Sequence, residues 1–401
     1  MSDASEQAQD SQGKTPRNQL SKGMEHIRYA VTVDPATQQP STYGVPGSIQ
    51  PVRKPASARS HDPTNNEKRS DPFQFGSRYL EEGDDIFEFN AWDHVETDDT
   101  YKEFASLQYA NQREHPVSDF DKTRFNKDPA KWWNLFYKNN TNNFFKNRKW
   151  LFQEFPVLKA LTTADAKPAL VLEVGAGAGN TAFPVLQLNE NPNFKIHACD
   201  FSKKAVEVIR SNEAYDNGKT IQADVWDVAG EGEQSLPPGI EEGSVDLVMM
   251  IFIFSALAPS QWAQAVRNIH RVLKPGGKVC FRDYGRGDLA QVRFKKGRYL
   301  EENFYVRGDG TRVYFFEKEE LERIWGDYTQ EATADVPTFE IESIGVDRRM
   351  LVNRQRRLKM YRCWMQAVFR KAGGDRSGEE GPQAETQAES AIQAEEQKAT
   401  S

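Results

Sequence analysis

The stretch Leu172-Glu173-Val174-Gly175-Ala176-Gly177-Ala178-Gly179-Asn180 decides the fold. It ends the apolar run ALVLEV (169–174) and opens a helical pattern. Glycines between a strand and a helix let the backbone turn sharply and approach a ligand closely. The spacing is G-x-G-x-G, not the G-x-G-x-x-G of a dinucleotide-binding loop. An acid, Glu173, precedes the glycines. Another, Asp200, ends the next apolar run, where an acid can take ribose hydroxyls.

Outward from this stretch, short apolar runs alternate with helical patterns. KIHACD (195–200), TIQAD (220–224), VDLVMMIFIFS (245–255) and KVCFRD (278–283) read as further strands. Residues 203–212 and 260–272 read as helices between them, and Lys274-Pro275-Gly276-Gly277 as a turn. Continuous apolar strands separated by helices predict a parallel sheet covered on both faces, a doubly wound α/β fold. Residues 304–316 read as a hairpin turning at Gly308-Asp309-Gly310, and 348–369 as a final strand or strands.

In such sheets ligands sit at the carboxyl ends of the strands. Gly175 and Gly177 are then expected against the amino-acid part of a nucleoside cofactor, and Asp200 against its ribose. Asp224 and Val225 are expected against adenine, and Ile251 as pocket lining. Trp133 and Tyr137 stand four apart on one helical face. An aromatic face suits a sulfonium cation, so the pair is a candidate cofactor cap; a core-packing stripe is the alternative.

The chain has 401 residues and a net charge of −7. Residues 372–401 hold seven acids and two bases, whereas residues 1–70 hold seven acids and nine bases. A mildly acidic body argues against non-specific DNA binding as the main task. Residues 1–70 are polar and almost free of aromatics, and are expected to be a disordered extension; 372–401 are expected to be a disordered acidic tail. No apolar run reaches the ~18 residues of a membrane span. The acidic start MSDASEQAQD fits neither a secretory signal nor a transit peptide, so a cytoplasmic location is expected, with the nucleus as a further candidate. Cys199, Cys280 and Cys363 lack metal-type spacing and read as buried thiols; no metal site is expected.

Longer blocks carry a resemblance. They are FGSRYL (75–80), FNAWDHVE (89–96), WWNLFYKNNTNNFFKNRKWLFQEFP (132–156), LEVGAGAGNTAFP (172–184), ACDFS (198–202), FRDYGRGDLAQVRF (281–294) and NFYVRGDGTRVYFF (303–316). Over residues 71–371 the chain resembles the tRNA cytidine N3-methyltransferases, which act at position 32 of the anticodon loop. The NAWD block is similar to the branch acting on threonine tRNAs. The resemblance implies a class I methyltransferase fold: a doubly wound, Rossmann-like seven-stranded sheet, mostly parallel with an antiparallel last strand. Residues 71–160 would form a helical, aromatic region that binds tRNA and caps the cofactor, and 161–371 the methyltransferase domain. S-adenosylmethionine is the implied cofactor, at Trp133, Tyr137, Gly175, Asp200, Asp224 and Ile251. The small Ala176 stands where the family often has Cys.

Cytosine N3 carries an in-plane lone pair, so methyl transfer to it demands positioning rather than proton abstraction. The methylated base is cationic, and Asp283 is the candidate carboxylate to stabilise it; a structural pair with Arg282 or Arg286 is the alternative. N3 lies on the pairing edge, so the base must be unpaired. RNA contacts are expected from Phe145, Lys146 and Arg148, from Arg293 and Lys296, from Arg307 and Arg312, and from Arg357. Each basic cluster taken singly could be only a solvated face. The expected partner is the tRNA anticodon stem-loop, with an accessory protein or aminoacyl-tRNA synthetase as a further candidate. Methylation of a small molecule or protein, a non-catalytic RNA-binding adaptor, and a dehydrogenase are the competing functions.

Overall fold

A computed structural model describes Leu80, residues 83–326 and residues 336–373. The expectations for residues 1–70 and for the tail from 374, and most of the FGSRYL block, lie outside the described residues.

A short strand, β1 (Ala91–Asp93), precedes three helices: α1 (Asp99–Glu114), α2 (Asp119–Lys127) and α3 (Pro129–Asn140). A side chain starts each helix by accepting an amide hydrogen that the helix cannot use: Asp98 from Tyr101, Ser118 from Asp121, Asp128 from Lys131. Helix α3 stops at Asn140, and Thr141 takes a left-handed φ of 48°. The region 71–160, expected to be helical, is therefore interrupted here. The Asn/Thr run that follows favours turns, because short polar side chains bond the nearby backbone. Residues 144–148 consequently lie in a loop.

The alternation then runs α4 (Leu151–Glu154), α5 (Pro156–Leu161), β2 (Ala169–Val174), α6 (Ala182–Gln187), β3 (Phe194–Asp200), α7 (Lys203–Arg210) and β4 (Ile221–Val225). Next come β5 (Val245–Ile251), α8 (Trp262–Val272), β6 (Leu273–Tyr284), α9 (Leu289–Val292), β7 (Tyr299–Glu301), β8 (Phe304–Val306) and β9 (Arg312–Tyr314). Helix α10 (Lys318–Gly326) and the long hairpin β10 (Phe339–Asn353) and β11 (Leu358–Lys371) complete the described chain.

The main sheet has the order β1-β10-β11-β6-β5-β2-β3-β4. Strands β2 to β6 pair in parallel, whereas β11 is antiparallel to β6 and to β10. This is the expected seven-stranded arrangement with β1 added antiparallel on the edge of β10 as an eighth strand. Strands β7, β8 and β9 form a separate small sheet. The strand order reverses at β2, which pairs with both β3 and β5, so the ligand crevice opens beyond their carboxyl ends. The Lys274–Gly277 turn is absorbed as a bulge: Val245 pairs with Leu273, and Leu247 already with Lys278. One hydrophobic cluster covers each sheet face, which explains why the central strands lack polar alternation. The three cysteines are free and buried.

The added strand is fastened by buried charge. Arg349 reaches Asp347 at 3.0 Å, Asp93 at 3.2 Å and Glu154 at 3.5 Å. Arg282 pairs with Asp347 and Gln366 and lies over the rings of Trp150 and Trp364. The cluster ties β1, β6, β10, β11 and α4 together. Removing one member strands a buried charge, which typically costs about 3–5 kcal/mol. Arg349→Leu should lower the calorimetric unfolding temperature accordingly, and Asp93→Leu added to it should cost less than its single effect. An unchanged transition in Arg349→Leu would show that the cluster holds nothing.

Candidate active site

The crevice is a cavity of about 560 Å³ at the carboxyl ends of β2, β3 and β5. Its floor is the glycine loop. Gly175 and Gly177 take φ of +67° and +60°, and a Cβ would lie 2.6 Å from Ile253 and 2.5 Å from the Tyr137 hydroxyl, respectively. Only glycine fits such a backbone without strain.

Asp200 ties this loop to β3. Its Oδ2 accepts the Gly177 amide hydrogen and its Oδ1 that of Ser202, both at 2.8 Å. Burial pushes its carboxyl up to about 6, against the pull of those two amides. The Ser202 hydroxyl donates to Asn134 Oδ1 at 2.9 Å, and the Lys204 amide donates to the same oxygen at 3.1 Å. Helix α3 is thereby clamped across the end of β3. Trp133 and Tyr137 stack at 6.1 Å and line the cavity, backed by Phe136, Phe144 and Phe145.

Six of the residues expected at a cofactor are thus together: Trp133, Tyr137, Gly175, Gly177, Asp200 and Ile251. Asp224 and Val225 depart from expectation, since neither lines the cavity. The Asp224 carboxylate is taken by Arg210 at 2.7 Å, Gln222 at 2.9 Å and His197 at 3.0 Å, and Val225 is exposed. The wall beyond β4 comes instead from Trp226, Asp227 and Val228. Reading the strand end alone could not supply the turn that follows.

The outer part of the cavity is aromatic and basic. Tyr284, Phe294 and Phe315 stand among Lys146, Arg293, Lys295, Lys296, Arg298 and Arg307. In all, nine lysines and arginines line the cavity against the acids Asp200, Asp227 and Asp309, an excess of positive charge that phosphate groups would complement. Phe145, Lys146, Arg293, Lys296 and Arg307 therefore line one cavity.

The other expected RNA residues sit differently. Arg148 is half-buried and donates to Thr181 Oγ1 at 2.7 Å. Burial lowers its pKa while Glu173 opposes that shift. Burial likewise raises Glu173 to about 7, with Arg148 and Thr181 pulling it back. Arg148 is thus a strut under the glycine loop as well as cavity lining. Arg312 is buried and donates to Asn126 and Gln261 at 3.0 and 3.1 Å; desolvation lowers it to about 10. It braces the wall rather than offering a surface contact. Arg357 is exposed at the β10–β11 turn, over the Phe87 ring at 4.2 Å, outside the cavity.

Asp283 also departs from expectation. It is fully buried and does not line the cavity. Its oxygens accept the amide hydrogens of Ser255 and Tyr284 at 2.9 and 2.8 Å, and burial raises its carboxyl to about 6. It pairs with neither Arg282 nor Arg286; it fixes two residues that do line the cavity.

Among the lining residues that sequence reasoning missed are three polar ones. Asn180 closes the quoted motif and donates to the Phe145 carbonyl at 3.3 Å and Asn147 at 3.1 Å. Asp227 lies two residues past the expected acid. Asp309 sits in the hairpin turn, where its Oδ1 takes the Thr311 amide and hydroxyl hydrogens. Gly310 beside it leaves no room for a Cβ, which would meet the Trp132 ring at 2.2 Å. That packing sets the hairpin against α3.

S-adenosylmethionine fits this set of residues: a glycine floor closed to any Cβ, a buried carboxylate at the end of β3, and stacked aromatic rings above them.

Comparison with known proteins agrees with the geometry. The profile of the family described as "Methyltransferase domain" matches residues 172–279. The tRNA(Thr) (cytosine(32)-N(3))-methyltransferase of Saccharomyces cerevisiae is 54% identical over 298 residues, which are 74% of this chain and 46% of that protein. The chain thus spans about half the length of that relative. The tRNA N(3)-methylcytidine methyltransferase of Schizosaccharomyces pombe is 49% identical over 74% of this chain and 92% of its own. That of Drosophila melanogaster is 44% identical over 76% and 90%. With its glycine floor, its aromatic cap and relatives of this closeness, the chain belongs to the tRNA N(3)-methylcytidine methyltransferase family.

Proposed function

We propose that this protein transfers a methyl group from S-adenosylmethionine to N3 of an unpaired cytidine in tRNA, at position 32 of the anticodon loop of threonine tRNAs. The observation that carries this is the continuity of one cavity. Its floor has the residues for a nucleoside cofactor, and its mouth has aromatics and bases for RNA. The position and the tRNA class rest on what the Saccharomyces cerevisiae relative is named for.

The cofactor supplies an electrophilic methyl group on a sulfonium centre. The chain's residues do the rest by holding and orienting. Asp200, already fixed by two amides, presents its remaining lone pairs to ribose hydroxyls. Trp133 and Tyr137 offer π faces to a cation. Tyr284, whose amide is fixed by Asp283, and Phe315 wall the space where a splayed base can stack. Lys146, Arg293, Lys296 and Arg307 face the phosphates that flank it. No general base is required, because the attacking nitrogen bears no proton.

Incubating the protein with radiolabelled S-adenosylmethionine and total tRNA should place label in 3-methylcytidine on nucleoside mass spectrometry. Label in another nucleoside, or none in RNA despite bound cofactor, would overturn the assignment.

A second expectation concerns Asp200. Hydrogen bonds to a charged acceptor contribute roughly 1.5–3 kcal/mol, so Asp200→Ala should weaken S-adenosylhomocysteine binding by at least about 10-fold. Wild-type affinity should fall as pH drops through about 6, because protonation removes an acceptor. Asp200→Asn should show no such inflection. Calorimetric titration across pH 5–8 reads both, and a wild-type profile flat in that range would remove Asp200 from the site.

A further inference from the structure

Helix α1 is docked through one side only. The Tyr101 hydroxyl donates to the Gly287 carbonyl at 3.0 Å, and that of Tyr109 to Gln291 Oε1 at 3.1 Å. Gln112, fully buried, spreads its amide over the carbonyls of Gln291, Val292 and Phe294 at 3.1–3.3 Å. Tyr305 donates to its oxygen at 2.9 Å. One side chain therefore sets the path of the backbone leading into residues 293–296.

The adjacent stripe of α1 has no core to cover. Phe104, Gln108 and Asn111 recur at i, i+4 and i+7 and face a second recess of about 480 Å³. Leu107, 69% exposed, flanks them. The opposite wall of the recess is the segment Arg293-Phe294-Lys295-Lys296. The same four residues also line the catalytic cavity. A single basic segment thus has a cavity on each side.

We propose that this recess binds a second unpaired nucleotide of the RNA, a neighbour of the cytidine to be methylated. This rests on the tRNA reading above. The chemistry of the walls selects a nucleotide over an apolar peptide. Phe104 offers a stacking face that any base can use. The Gln108 and Asn111 amides each carry donors and acceptors, as a base edge requires. Lys295 and Lys296 are exposed on the wall where the phosphate between the two nucleotides would pass, Lys296 with its ammonium 2.9 Å from the His115 ring nitrogen. The shared wall provides the register: a loop with one base in the catalytic cavity crosses residues 293–296 and delivers its neighbour to α1. Recognition then requires two splayed bases, which a helical stem cannot present.

The test uses the full chain and an anticodon stem-loop RNA bearing the target cytidine, with each other loop nucleotide replaced in turn by an abasic one. Affinity is read by fluorescence anisotropy, and methylation by kcat and KM. Phe104→Ala and the milder Gln108→Ala should weaken RNA binding and raise KM, the former by roughly 5- to 100-fold, as loss of one base stack implies. S-adenosylhomocysteine affinity should not change. One abasic position should penalise the wild type and leave Phe104→Ala unaffected, since base and ring act as a pair. Variants that bind and methylate every RNA as the wild type does would overturn the proposal alone. So would abasic penalties equal in wild type and variants. A wild-type protein that binds S-adenosylhomocysteine but not RNA would overturn the tRNA reading, and this proposal with it.

Discussion

The grip of Asp200 on two backbone amides is the constraint on which the site depends. It joins the glycine loop after β2 to the turn after β3, adding to the backbone bond there, from the Ala176 amide to the Cys199 carbonyl at 2.9 Å. Through Ser202 and Asn134 the same turn holds α3, and α3 carries the aromatic cap. A carboxylate placed so deep is costly to ionise, which its raised titration reflects. The amides offset part of that cost and leave lone pairs directed at whatever enters the cavity. Floor, wall and roof are therefore positioned by one buried acid.

The charge of the chain conceals its site. A net −7 suggests nothing that binds a polyanion, yet bases outnumber acids three to one around the cavity. Local concentration matters more than the sum, because opposite charges elsewhere are screened within about 10 Å at ordinary salt. Several of these bases also hold the walls. Arg148 reaches Thr181 beneath the glycine loop, and Arg312 spans Asn126 and Gln261. A planar guanidinium with five donors suits such bridging where a lysine would not. The mouth thus remains basic even where individual cations are already engaged.

Much of this was legible in the sequence. The strands 169–174 and 245–251, buried on both faces, are apolar but for Glu173 and Asp246, and that lack of alternation marks them as parallel core. The glycine loop and Asp200 announce themselves by spacing. The errors have physical causes. Asp224 has the right type at a strand end, but Arg210 and His197 occupy it, contacts made by side chains that no local pattern specifies. Asp283 occupies an equivalent strand end and is drawn inward by the Ser255 amide. Strand β1 has three residues and no alternation to detect; it exists because Asp93 meets Arg349 some 250 positions later. Residue spacing alone left Trp133 and Tyr137 open between a cap and a packing stripe; the structure places both rings in the cavity lining.

The part of the molecule shared with methyltransferases in general holds the glycine loop but none of the basic residues that line the cavity. The domain profile spans residues 172–279, which hold the glycine loop and Asp200. Every lysine and arginine lining the cavity lies outside that span, at 146–148, 293–312 or 362. So do Trp133, Tyr137, Tyr284 and Phe315. The α/β core is thus a platform that fixes a cofactor site at its switch point. The helices before it and the small sheet after β6 build the mouth. Trp132 packed on Gly310, and Gln112 spread over three carbonyls of the 291–294 backbone, lock those two insertions to each other. Because the two are packed together, neither can be replaced alone without reshaping the opening they share.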